Sequence, residues 1–232
     1  MRDAPREVLR WAIATFPAGR VALSAAFGPG SLVLIHILAE MGARVPVIFL
    51  DTLYHFPETL EHAERVRVRY DLDLRIFRPA ESRAAFEVVH GPRLWERDLD
   101  RYQRLTKVEP FRRAISSIDA YITGRRRDQA ETRAGLAVIE RGKPTSINPL
   151  AAWPRRRVWQ FIRAHDIPFN PLHDAGYVSV GDAPLTTPVN PGEDERAGRW
   201  RGHGRIECGI HAVPIVEADG DVRYTVPAPI EK

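Results

Sequence analysis

Between residues 20 and 80, apolar runs alternate with amphipathic ones. RVALSAAFG (20–28) is an apolar run that ends in a Gly-rich turn and predicts a strand. SLVLIHILAEMG (31–42) has the length of a buried helix and stops at glycine. VPVIFLDT (45–52) is almost continuously apolar, as a central parallel strand is. PETLEHAERVRVRY (57–70) puts proline at a first helical position and is amphipathic. LRIFRP (74–79) predicts a third strand, a polar helical stretch follows, and EPFRRAISSI (109–118) predicts a helix. DAYITGR (119–125) reads as a fourth strand, ETRAGLAVIER as a helix, TSINPLA as a short apolar segment, and RVWQFIRAHD (157–166) as a helix. Strand–helix alternation of this kind predicts an α/β fold with a doubly wound, mostly parallel sheet.

The pattern changes after residue 170. Segment 181–204 is rich in Gly, Pro and charge and poor in apolar residues, and predicts a mobile arm. VPIVEADGDVRYTV places two β-rich runs around Asp219-Gly220, as a small hairpin does. The expected organisation is a nucleotide-binding α/β domain over 1–180 and a C-terminal arm with a tail hairpin over 181–232.

Composition narrows the picture. With 44% hydrophobic and 28% charged residues the chain reads as soluble and globular. MRDAPREVLRW has no signal-peptide core, and no apolar run reaches membrane-span length, so the expectation is a cytoplasmic protein that does not engage membranes. The net charge of +4 is a poor guide to nucleic acid, because only Lys107, Lys143 and Lys232 among 34 basic residues are lysines. That bias can follow base composition, and no nucleic-acid partner is expected. The single cysteine excludes an internal disulfide, and it cannot alone hold a zinc ion or an iron–sulfur cluster.

Four segments carry candidate chemistry. SAAFGPGS (24–31) follows a strand and opens a helix, where backbone N–H groups and the helix dipole bind phosphate. It has no Walker lysine and lacks the third glycine of a dinucleotide fingerprint, so an ordinary turn remains open at this point. LDTLYHFPET (50–59) lies on the same sheet edge; Asp51 there can accept from a ribose or base, or cap the turn. TGRRRDQAETR (123–133) crowds Arg125, Arg126, Arg127 and Arg133 at a strand end, which favours an anion site over a solvated face. Finally, GEDERAGRWRGHGRI offers little from which to build a core around Cys208. Arg205, His203 and His211 can depress its thiol, and a fall from about 8.5 to about 6.5 makes thiolate the major form at neutral pH.

In combination these segments resemble the adenylyl-sulfate and phosphoadenylyl-sulfate reductases. The resemblance runs from about residue 20 to residue 211 and adds KVEPFRRAI (107–115), INPLAAW (147–153), FNPLHDAGYVSVGD (169–182) and ECGIH (207–211). It implies an adenine nucleotide α-hydrolase-like fold and nucleophilic catalysis by Cys208. The thiolate attacks the substrate's sulfur, a Cys S-sulfonate remains, and thioredoxin or glutaredoxin releases sulfite from it. Glu207 and His211 are expected to shape the thiol's environment. Ser24, Phe27, Gly28 and Ser31 are assigned to the nucleotide, Leu50 and Asp51 to base or ribose. Lys107, Arg125, Arg126, Arg127, Arg133, Arg199 and Arg205 are candidates for the phosphosulfate, with His173 and Trp200 weaker candidates.

Members of that family with an iron–sulfur cluster carry a Cys-Cys pair before KVEP and a CxxC after the YxSxG segment. Here Tyr102 and Gln103 occupy the first place, Asp182 and Leu185 the second, so no cluster or other cofactor is expected. Cluster-free members imply a substrate with a 3′-phosphate, phosphoadenylyl sulfate. RRDQAETR and the PGEDERAGRW arm look more like the adenylyl-sulfate branch, so the alternative is a cluster-free adenylyl-sulfate reductase that yields AMP. Two further alternatives leave ECGIH unexplained. An ATP-pyrophosphatase needs Gly-Gly where Ala25-Ala26 stand, and a non-catalytic nucleotide- or RNA-binding module makes Cys208 dispensable. Homo-oligomerisation is left open.

Overall fold

The apolar runs become the centre of a six-stranded sheet. In the computed structural model the described residues are 4–205, 207, 209–210 and, by their backbone, 213–216 and 222–225. The strands are β1 (Val21–Ser24), β2 (Val47–Leu50), β3 (Leu74–Phe77), β4 (Ala120–Thr123), β5 (Ile139–Glu140) and β6 (Thr145–Ile147), in spatial order β3-β2-β1-β4-β6-β5. All neighbours run parallel except the β5–β6 pair. Successive side chains serve opposite faces. Leu23, Phe49 and Ile122 enter one core, and Ala22, Ile48 and Tyr121 enter the other.

The first face is covered by α1 (Ala4–Thr15), α2 (Pro29–Glu40), α3 (Pro57–Tyr70) and α8 (Arg155–Ala164). α2 is buried almost all round, from Leu32 through Leu38, and so it lies at the centre of this layer. α1 precedes the first predicted element; Leu9 and Ala12 are its buried stripe. Between β3 and β4 come α4 (Arg83–His90), α5 (Leu94–Arg97), α6 (Leu99–Gln103), a π-helical turn (Arg104–Val108) and α7 (Glu109–Ile115), whose Phe111 and Ala114 cover the second face.

Two readings need correction. The helix expected through ETRAGLAVIER is two single 3₁₀ turns, Arg127–Gln129 and Glu131–Arg133, followed by β5. Gly135 weakens a helix there, and Asn148 draws the chain onto the sheet edge: its amide donates to the Ala137 carbonyl, and its backbone N–H donates to Val138. α2 starts at Pro29, two residues before the expected SLVLIHILAEMG, with Gly28 as its N-cap. The tail hairpin is present as β7 (Val213–Val216) antiparallel to β8 (Val222–Thr225), and its turn lies outside the described residues. The segment from 181 onward carries Leu185 and Trp200 into a third core cluster with Tyr54, Phe86, Leu94, Trp95 and Tyr102. Among the described residues no helix is long and apolar enough to cross a membrane.

Strand order reverses between β1 and β4, which opens a crevice outside their carboxyl ends. The walls meet tightly at its floor. A Cβ at Gly30 would sit 2.5 Å from the Gly124 carbonyl oxygen, and one at Gly124 only 2.6 Å from the Gly30 carbonyl carbon. Neither glycine has positive φ, so the demand is for space. Gly124→Ala is therefore expected to destabilise the protein by about 1–3 kcal/mol, read as a lower urea midpoint.

A second prediction follows from the core of the same layer. His62 of α3 is fully buried beside Phe27, and its pKa is pushed from 6.5 down to about 4, by burial first and then by Arg65. The unfolded chain therefore binds a proton that the folded chain refuses between those two pH values. Stability should fall as pH drops from 6.5 toward about 4, and His62→Gln should flatten that slope in urea midpoints measured against pH.

Candidate active site

A cavity of about 210 Å³ opens at this carboxyl-end crevice. Ser24, Ala25 and Ala26 reach it from β1, Leu50, Thr52 and His55 from β2, and Thr59 from the start of α3. Lys107, Arg133, Arg196 and Arg199 bring its cations, and Ile210 closes it from the C-terminal segment. A larger hollow of about 500 Å³ lies at the opposite ends of the strands, but its arginines, Arg44 and Arg75, are paired with Asp71 and Asp73.

Lys107 owes its place to the π turn that interrupts the run from Leu99 to Ile115. Such turns re-aim side chains and recur at functional sites. Its ammonium is buried and sits 2.7 Å from Asp182, itself almost fully buried. Asp182 also accepts from the Thr52 hydroxyl (2.8 Å) and the Tyr102 hydroxyl (3.0 Å). Burial alone would raise the Asp182 carboxyl, but Lys107, His55 and Thr52 outweigh it and hold the group below the usual carboxylate range. The same burial, reinforced by Asp182, drives the Tyr102 phenol well up, so it stays a donor. Deleting one member of a buried pair of this kind costs about 3–5 kcal/mol.

Three of the four positions at which the resemblance places cluster cysteines, 102, 182 and 185, are thus brought together. Tyr102 is bonded to Asp182 and packs with Leu185 and Trp200, and Gln103 is buried beside them in sequence. None of the four side chains is a thiol, and the space is filled by a hydrogen-bonded knot and a core cluster. The residues do not fit an iron–sulfur cluster.

Trp200 organises the cations from below. Its ring is buried, with Arg199 at 4.5 Å, Arg196 at 5.3 Å and Lys107 at 5.9 Å from its centroid. Arg199 donates to the Val180 carbonyl at 3.1 Å and leans over Gly181, where a Cβ would stand 2.2 Å from the guanidinium carbon. Any side chain at 181 would displace Arg199.

Arg133 presents a fork to Glu207, with Nε and Nη2 each 2.6 Å from a carboxylate oxygen. Arg196 stands 3.5 Å from the same carboxylate, and the Thr132 hydroxyl donates at 3.3 Å. Burial opposes ionisation of Glu207, but Arg133 and Arg196 prevail and keep it below the usual range. Arg205 donates to the Glu207 carbonyl at 2.7 Å and pairs with Asp100. Cys208 and His211 lie outside the described residues; their neighbours Glu207, Gly209 and Ile210 are described.

The remaining candidates are placed differently. Phe27 is a buried core ring against Phe49, held at φ +53°, and Ser31 donates to the Gly28 carbonyl at 2.9 Å, within the first turn of α2. Asp51 caps its own turn by accepting from Leu53 N–H (3.0 Å) and pairs with Arg78 at 2.7 Å. Arg125 is tied to Glu140 and Ser146, Arg126 to Asp128 and Glu195, and Arg127 to the Leu136 carbonyl. The triple-arginine run is therefore structural stitching around the cavity rather than its lining. His173 contacts the Tyr177 carbonyl at 2.7 Å within the NPLHD turn.

Sequence reading missed Thr52, His55, Asp182 and Arg196 as cavity residues. His55 Nε2 donates to the Leu50 carbonyl at 2.9 Å, and its buried Nδ1 has no protein partner. Asp182 carried a signal, because it stands where relatives place a cluster ligand.

Comparison with known proteins agrees with this geometry. Residues 20–188 match the family model described as the phosphoadenosine phosphosulfate reductase domain. The phosphoadenosine 5′-phosphosulfate reductase of Gloeobacter violaceus is 41% identical over 90% of this chain and 89% of its own length. The phosphoadenosine phosphosulfate reductase of Saccharomyces cerevisiae is 40% identical over 90% and 85%. A crystal structure of phosphoadenylyl-sulfate reductase from Candida auris, a phosphate complex, superposes with a TM-score of 0.73 at 39% identity, covering 79% of this chain and 90% of that one. FMN adenylyltransferase of Candida glabrata, at 19% identity and TM-score 0.61, shares the fold alone. The matched span holds the crevice, Lys107, Arg133 and Asp182, and by it the chain belongs to the phosphoadenosine phosphosulfate reductase family.

Proposed function

We propose that this protein reduces phosphoadenylyl sulfate to sulfite and adenosine 3′,5′-bisphosphate, with Cys208 as nucleophile. The observation that carries this reading is the Arg133–Glu207 fork. It brings the residue adjacent to Cys208 to a cavity rimmed by Arg133, Arg196, Arg199 and Lys107. The Glu207 carboxylate stands in for the planar end of an anion, and the substrate's phosphosulfate is the anion this reading places against the same guanidinium groups.

In the proposed reaction the Cys208 thiolate attacks the sulfur of the phosphosulfate. The S–O bond to the nucleotide breaks, its electron pair leaves with the phosphate, and a Cys S-sulfonate forms. A thioredoxin or glutaredoxin thiolate then attacks Cys208 Sγ, sulfite departs with the bonding pair, and the second thiol of that partner resolves the mixed disulfide. Attack of one anion on another needs cations placed beforehand, and the Trp200-stacked Arg196 and Arg199 supply them without reorganisation. Ser24 and Leu50 line the same cavity and are assigned to the nucleotide, with Thr52 and His55 added to them. Arg205, which holds the Glu207 carbonyl, orients the segment bearing Cys208.

At about 210 Å³ the cavity is smaller than the several hundred Å³ usual for a ligand of nucleotide size. Ile210 and Glu207 both lie beyond the buried Trp200, so we assign the chain from residue 201 onward as an arm that opens to admit the nucleotide and closes on it.

Intact-protein mass spectrometry after mixing with phosphoadenylyl sulfate, without thioredoxin, should show one added SO₃ group. It should be absent from Cys208→Ser and weaker or absent with adenylyl sulfate. No adduct from folded protein with a free thiol would remove the mechanism; an adduct with adenylyl sulfate alone would move the substrate to the form lacking the 3′-phosphate. Arg133→Ala should lower kcat/KM by about 10²–10³, and Arg133→Lys should not restore it, because an ammonium cannot make the fork. Steady-state sulfite release checks both variants.

A further inference from the structure

The far half of α2 carries a cluster that the crevice does not use. His36 and Glu40 stand four residues apart on α2 and so share a face, and His165 caps the C-terminus of α8, which packs on α2. One donor atom from each of these three residues lies within 4.8 Å of the other two. The imidazoles are 4.9 Å apart between centroids.

The hydrogen bonds of the two rings sort their nitrogens. His36 Nδ1 lies 3.1 Å from the Tyr70 hydroxyl, and His165 Nδ1 donates to the Phe161 carbonyl at 2.9 Å. Phe161 also stacks on the His165 ring at 4.0 Å and fixes its plane. The bond to the Phe161 carbonyl leaves Nε2 as the nitrogen His165 can offer a metal. His36 Nε2 is buried without a hydrogen bond, although Glu40 Oε1 is 3.3 Å away. One ring nitrogen anchored and the other presented is how metal-binding histidines are oriented.

We infer that His36, Glu40 and His165 form a site for a divalent transition-metal ion of the zinc type, which would clamp the C-terminal ends of α2 and α8. Two imidazole nitrogens and one carboxylate oxygen suit zinc or cobalt rather than magnesium or calcium. Bonds of about 2.0–2.1 Å in a tetrahedral site bring donor atoms to within about 3.5 Å of one another, with water in the fourth place. Glu40 Oε1 is already 3.3 Å from His36 Nε2, within that spacing.

Other charged groups face the cluster. Arg6 of α1 pairs with Glu40 Oε2 and leaves Oε1 available, and Arg69 of α3 lies over the Tyr70 ring at 5.7 Å. Asp166, next to His165, acts on Tyr70. Burial first, then His165 and Arg69, holds His36 below its ordinary range against the pull of Glu40. Along α2, Glu40 lies about 16 Å from the turn at Pro29, so the site is separate from the crevice and independent of the proposed reaction.

The test uses full-length, tag-free Cys208→Ser protein, which removes the thiol as a competing ligand, stripped with chelator and titrated with Co²⁺. The expected result is one Co²⁺ per chain with the absorption of a tetrahedral site, displaced by Zn²⁺, and a higher melting temperature with metal than without. Glu40→Gln and His165→Gln should each abolish the tetrahedral spectrum, and Tyr70→Phe should weaken binding about 10-fold. Glu40 is at the surface, so its variant folds whatever happens at His165. No stoichiometric binding, or binding unchanged in Glu40→Gln and His165→Gln, would overturn the inference.

Discussion

The Asp182 carboxylate is the constraint on which the rest of the site depends. It starts the C-terminal segment, yet it is buried and must stay ionised, so it draws Lys107 from the π turn, Thr52 from the loop after β2 and Tyr102 from α6. A charge at such depth is tolerated only when every lone pair is answered. The answer joins three stretches far apart in sequence, the loop after β2, the run from α6 into the π turn and the C-terminal segment, into one wall. Once that wall stands, Leu185 and Trp200 follow into the third core cluster, and Trp200 carries Arg196 and Arg199 to the cavity.

The cations at the cavity differ in how they are held. Lys107 is paired at 2.7 Å with the buried Asp182 carboxylate, which ties it into the architecture of the wall. Arg133 and Arg196 are satisfied by Glu207, which lies on the arm itself. An exchange of that carboxylate for a substrate anion would alter few charges in the cavity while freeing the segment beside Cys208. The proposed arm movement and the proposed anion binding are on this reading one equilibrium.

Sequence pattern carried much of the fold. The near-continuous apolar runs at 20–28 and 45–52, the proline opening α3 and the amphipathic stretch before residue 166 are local signals, and each produced the element it predicted. The ETRAGLAVIER segment failed because its helical composition was overridden by Asn148, a partner more than ten residues away that offers edge hydrogen bonds. The arginine run at 125–127 was legible as a cluster of charge but not as a set of ion pairs, since Glu140 and Glu195 meet it only in the folded chain.

By itself the sequence determined the alternating α/β plan, the family motifs, and the single thiol within ECGIH, because periodicity, turn chemistry and residue identity are properties of the local chain. Tertiary structure alone decided which charged residues line the crevice and which are spent on one another. Arg126 and Arg133, seven residues apart, illustrate this: one is buried against Asp128 and Glu195, while the other forks onto Glu207 at the cavity. Charge pairing depends on distance and burial in three dimensions, and neither is encoded in spacing along the chain.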